Sequence, residues 1–178
     1  MKKIILPAEH EISLWLDTYD DIFSDFDPRP YSERALSDDF LMEAKRATRD
    51  KPAGAIELKL LLPENQRDSN KEAIIKHRLK EHFQKHNREF KGKRKKLALQ
   101  GIAFVLFGII LMFIASLILF KSQQDSLIRS FLIVLLEPAG WFLFWEGLNL
   151  VIFESKKIQP EFLFYEKMSR SQTQFNTY

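Results

Sequence analysis

The sequence predicts a cytosolic α+β domain of about three short strands and two helices over residues 1–90. An all-α two-span transmembrane hairpin follows over residues 91–153, and a short cytosolic polar tail over 154–178. Three observations carry this reading. Residues 97–120, LALQGIAFVLFGIILMFIASLILF, contain no charge and one amide, Gln100. As a helix rising 1.5 Å per residue, this run reaches roughly 36 Å, more than the hydrocarbon core of about 30 Å. A second apolar run, 127–153, follows after a short link. Before both, period-two alternation marks strands.

In chain order, Ile4-Ile5-Leu6 is too short for the apolar core of a signal peptide and is expected as a strand. Ile12, Leu14 and Leu16 alternate with polar residues, and Ile56, Leu58 and Leu60 alternate with Glu57 and Lys59 between Pro52 and Pro63. Between these strands, Ser37 is an expected N-cap, with Asp38 and Asp39 placed to suit the helix dipole. Ser69-Asn70-Lys71-Glu72 fits a capping box, predicting a helix to about Asn87 with one apolar stripe of Ile75, Leu79 and Phe83.

Charge is distributed unevenly. Residues 1–50 hold 12 acids and 7 bases, residues 51–96 hold 6 acids and 14 bases, and residues 97–178 hold 6 of each. The basic run Lys91, Lys93, Arg94, Lys95 and Lys96 abuts the first span, and Lys156 and Lys157 follow the second. Positive charge is retained on the cytoplasmic side, so both termini are expected there, with residues 121–128 on the far side. Lys91–Lys96 is also expected to attract anionic lipid, at roughly 1 kcal/mol per base. No aromatic platform interleaves with these bases, which argues against nucleic acid. The layout resembles that of small two-span proteins of the bacterial inner (plasma) membrane.

Within the first span, Gly101, Gly108 and Ala115 recur every seven residues, a seam on which another helix can approach closely. The second span carries Glu137 beside Pro138, then Trp141, Trp145 and Glu146. Pro138 removes a hydrogen bond and frees the Val134 carbonyl, so a kink or a break into half-helices is expected. A carboxylate at this depth is costly unless partnered, which makes Glu137 and Glu146 intramembrane functional candidates. On a straight helix the two glutamates point to opposite faces, whereas Glu137, Trp141 and Trp145 share one.

The loop 19–36 interleaves acids with aromatics. Asp21, Asp25 and Asp27 are oxygen donors of the kind that hold a divalent cation, though no EF-hand spacing is present. Phe23, Asp25, Phe26, Asp27, Arg29 and Arg34 are candidate contacts for a cytosolic protein partner. His82 and His86 stand at i, i+4 without the glutamate of a zinc-protease motif or a third ligand, and read as a solvated face. With no nucleophile elbow, phosphate loop or dinucleotide fingerprint, the sequence leans away from an enzyme. The expected function is a membrane-anchored interaction or regulatory module that self-associates. The alternatives are a small homo-oligomeric channel or transporter using Glu137, and a metal-dependent membrane enzyme using the aspartate loop.

Overall fold

The computed structural model describes residues 10–178 except Ala53, Ala55 and 122–125. The strand expected at Ile4–Leu6, and most of the link between the apolar helices, lie outside the described residues. Three strands, β1 (Glu11–Trp15), β2 (Glu57–Leu62) and β3 (Gln172–Thr177), form a sheet of order β1-β2-β3 in which both pairings are parallel. The helices are α1 (Asp38–Arg49), α2 (Ser69–Lys121), α3 (Leu127–Asn149) and α4 (Ser155–Ser169), with a π-helical stretch at Leu150–Glu154.

The chain divides into two compact units. One comprises the described residues up to Glu89 together with Glu161–Tyr178; the other is Phe90–Pro160. This corrects the expectation of a domain ending at residue 90 and a polar tail after 154. The polar C-terminal segment is a helix and a strand, and from Glu161 onward it belongs to the first unit. Phe164, Met168 and Phe175 are buried in the same core as Leu58, Leu60 and Leu79. By connectivity, the chain runs β1-α1-β2-α2, passes through the whole second unit, then returns as α4-β3.

Alternation in β1 and β2 has a direct structural cause. Ile12, Leu58, Leu60 and Leu62 face the core with at most 2% exposure, while Glu11, Glu57 and Lys59 occupy the opposite face, where Lys59 Nζ pairs with Glu11 at 2.7 Å. Parallel sheets are usually covered on both faces and read as continuous apolar runs. Among the described residues helices cover one face only, so the strands alternate. Ile75, Leu79 and Phe83 of α2 are fully buried against this face, as their spacing predicts. The N-cap of α2 is Asp68 rather than Ser69. Its carboxylate accepts hydrogen bonds from the Asn70 and Lys71 amides at 2.9 and 3.3 Å. Glu72 is thereby released from any capping box. Buried, it pairs with Arg67 and accepts a 3.1 Å hydrogen bond from the Tyr19 hydroxyl, which itself accepts from the Asp68 amide at 2.8 Å.

In the second unit, α2 and α3 are antiparallel and approach through glycine. A Cβ placed on Gly101 would stand 2.7 Å from the Gly147 carbonyl oxygen, and one on Gly108 would stand 2.6 Å from that of Gly140. Ala115, the third member of the heptad, is also buried. Helix α3 runs unbroken through Pro138; the irregularity falls at Leu150–Glu154 instead. The Arg129 guanidinium donates to the Ile118 and Leu119 carbonyls at 3.3 and 2.8 Å, satisfying acceptors that the end of α2 leaves open.

Candidate interaction surfaces

The loop between β1 and α1 is built by its own charges. Asp21 turns back to accept hydrogen bonds from the Asp17 and Thr18 amides at 2.7 and 3.1 Å, closing the 3₁₀ turn Tyr19–Ile22. Asp20 binds Arg34 at 2.6 Å and accepts from the Tyr31 hydroxyl at 3.1 Å. Asp27 receives Arg29 in a forked pair and the Ala35 amide at 2.7 Å. These hydrogen bonds, Arg29 foremost and the Ala35 amide next, hold the Asp27 carboxyl well below the usual carboxylate range. Asp25 remains largely exposed, 3.9 Å from Arg34.

Asp21 and Asp27 are occupied by backbone amides and arginine. Among the described residues, no three His, Cys, Asp or Glu side chains gather to hold a metal ion.

The two phenylalanines separate sharply. Phe23 is 2% exposed, stacks on Tyr31 at 5.0 Å and lies beneath the Arg34 guanidinium at 5.9 Å. It is a core residue, which corrects its assignment to partner recognition. Phe26 is 98% exposed. Arg29, Pro30, Tyr31, Ser32, Arg34 and Ile74 line a groove of about 320 Å³ on the same unit. Replacing Phe23 with Ala is expected to destabilise this unit by about 3–5 kcal/mol, the usual cost of removing a buried phenyl ring. Replacing Phe26 with Ala is expected to leave the thermal melt unchanged; equal losses from both would place Phe26 in a core.

The open sheet face adds a surface that the sequence reading missed. Trp15 and Tyr178 are each 48% exposed, and their rings meet at 4.5 Å on the face that also carries Glu11, Lys59 and Leu61. Their pairing across the sheet had no signal in sequence, because QTQFNT carries a single apolar residue and no alternation.

His82 and His86 are not simply solvated. Their rings lie 4.4 Å apart, and Tyr165 of α4 packs 5.0 Å from His86. Burial, then the neighbouring His86, Arg78 and Lys85, pushes the His82 imidazole down from 6.5 to about 4. The unfolded chain therefore binds a proton at His82 before the folded one does, so stability declines as pH falls from 6.5 toward 4. His82→Phe is expected to gain on the parent in melting temperature across that interval. A difference that stays constant with pH would remove His82 from the acid response.

In the second unit, Gly101, Gly108 and Ala115 sit in the helix–helix seam, faced by Gly140 and Gly147. The facing pair also recurs at seven residues, a signal present in the sequence that identifies α3 as the partner. Glu137 and Pro138 lie outside this seam and are exposed, as are Trp141 and Trp145, whose rings stack at 6.0 Å. Glu146 is half-buried and accepts a 3.5 Å hydrogen bond from Asn149. Glu137 and Glu146 are not brought together by any contact among the described residues. Compared with known families, curated proteins and solved structures, the chain matches none.

Proposed function

We propose that this chain is a membrane-anchored interaction module. The hairpin of α2 and α3 spans the bilayer, and the first unit is held at the cytoplasmic surface to bind a protein partner. One observation carries the reading. The two long helices are apolar enough to cross a membrane, yet their outward side chains are bare, with Phe120 91% and Leu127 86% exposed. An apolar helix in a soluble core is covered; this surface is suited to lipid.

Topology supports the orientation independently of charge. The segments before and after the hairpin belong to one compact unit, so both flanks lie on one side of the bilayer. Exposed Lys91, Lys93, Arg94, Lys95 and Lys96, with Lys156 and Lys157, make that side cytoplasmic and suit anionic headgroups. Recognition is assigned to exposed Phe26 and the adjoining Arg29–Arg34 groove.

The chain contains no cysteine, which makes labelling clean. In intact bacterial cells, Ser126→Cys is expected to react with an impermeant maleimide and Ser32→Cys only after permeabilisation. Reaction of both, or the reverse order, would overturn the orientation. A photoreactive residue at position 26 is expected to capture a discrete protein that the same group at exposed Met42 does not.

Exposed Glu137 favours a second reading, a small homo-oligomeric channel or transporter. It requires a ring of four or more subunits in nanodiscs; a monomer or dimer by mass photometry leaves no pore.

A further inference from the structure

We propose that an exposed flank of α3 is a self-association seam on which Glu137 meets Glu137 of a second copy of this chain. The proposal rests on the membrane reading above.

Helix α3 carries two faces. One, with Gly140 and Gly147, is consumed by α2. The other presents Ser130, Val134, Glu137 and Trp141 at i, i+4, i+7 and i+11, all exposed. That interval is the alternating four-three spacing of a helix–helix seam. The chain therefore holds a second seam whose partner is not found among its described residues.

Glu137 decides the occupant. It stands near the middle of an apolar helix, exposed on the flank of the hairpin's own contact. Lipid tails offer a carboxyl group no hydrogen bond, and such groups in membranes face a polar partner. A parallel copy in the same bilayer brings its own Glu137 to the same depth, whatever its rotation. In a parallel seam, equivalent residues meet at the axis, as buried asparagines do in two-stranded coiled coils. A pair of carboxyl groups there exchanges hydrogen bonds across the two-fold axis. Stacked Trp141 and Trp145 extend the contact toward the basic end of the hairpin.

The test uses the full chain in liposomes. Val134→Cys, on the seam, is expected to give an oxidative cross-linked dimer. Ile110→Cys, on exposed α2 surface, is not. Glu137→Leu in the Val134→Cys background is expected to lower association about tenfold, the effect of losing one interhelical polar contact. Glu137→Gln, whose amide pairs with itself, is expected to restore it. Absence of a Val134 cross-link, equal cross-linking at Ile110, or indifference to Glu137→Leu would each overturn the seam. Carbonate extraction of the same liposomes separates the two claims. An embedded chain that fails to cross-link overturns the seam alone, whereas a chain released by carbonate overturns the membrane reading.

Discussion

A chain ended at residue 90 is expected to lose cooperative unfolding. Such a fragment keeps β1, α1, β2 and the soluble half of α2, which the sequence suggested was a whole domain. It lacks Phe164, Met168 and Phe175, each at most 6% exposed in the shared core. Burying each side chain contributes about 1.5–3 kcal/mol, and their joint loss approaches the whole stability of a small domain, about 5–15 kcal/mol. Two further contacts go with them. Lys167 donates to the Thr48 and Lys51 carbonyls at 3.1 and 2.6 Å, holding the end of α1, and Asn87 donates to Ser169 at 2.8 Å. Joining residues 10–89 to 161–178 through a short Gly/Ser linker is expected to restore a single cooperative melt by circular dichroism. The contacts of Phe83 with Phe164 and of His86 with Tyr165 keep the two ends near enough for such a link. A sharp melt from the shorter fragment alone would make β3 an accessory.

The second large effect belongs to the glycine seam. Gly108→Val and Gly140→Val are each expected to part the hairpin. A Cβ on Gly108 would lie 2.6 Å from the Gly140 oxygen and 2.7 Å from the Phe144 nitrogen; one on Gly140 would lie 2.9 Å from the Gly108 oxygen. These neighbours are backbone, so neither helix yields without moving as a whole. Overpacking of this kind costs about 1–3 kcal/mol per site or more. The readout is a short bis-maleimide joining Val105→Cys to Phe144→Cys. Its yield is expected to fall in the glycine variants and to hold in Phe113→Ala, where the side chain is exposed. Equal yields throughout would show that close backbone approach is not what holds the pair.

How much of this was legible depended on whether burial left a periodic trace. Ile12, Leu14, Leu16 and Leu58, Leu60, Leu62 alternate because a single face is covered. Ile75, Leu79 and Phe83 recur at one helical turn because a single stripe is. Each pattern records one physical boundary between core and water. The strand β3 left no such trace. Its sequence, QTQFNT, puts a lone apolar side chain inward, Phe175, and an edge strand needs little more. Neither does sequence distinguish Phe23 from Phe26. They sit three residues apart in the same acidic loop, and tertiary packing alone sends one inside and leaves the other bare. Of the two outcomes expected at Pro138, a kink or a break, the break does not occur, for a related reason. A proline costs one backbone hydrogen bond, and a helix packed through Gly140 and Gly147 two to nine residues later can carry that loss without breaking. Asp68 took the cap from Ser69 because Arg67 and Tyr19 claim Glu72, and Tyr19 lies far away in sequence.

If the hairpin spans a bilayer as proposed, the route of the chain through its sheet couples folding to insertion. Strand β2 is synthesised early and β3 only after both apolar helices, yet the two must lie side by side, Leu60 against Phe175. In a bilayer, a chain whose second apolar helix fails to turn back delivers Gln172–Thr177 to the wrong side. Its β2 edge then stays open, its core stays incomplete, and it presents the unpaired strand and bare apolar surface that proteases and chaperones recognise. Under the proposed membrane reading, correct insertion is the condition for a closed sheet, and a misinserted copy is expected to be degraded faster than a correctly inserted one.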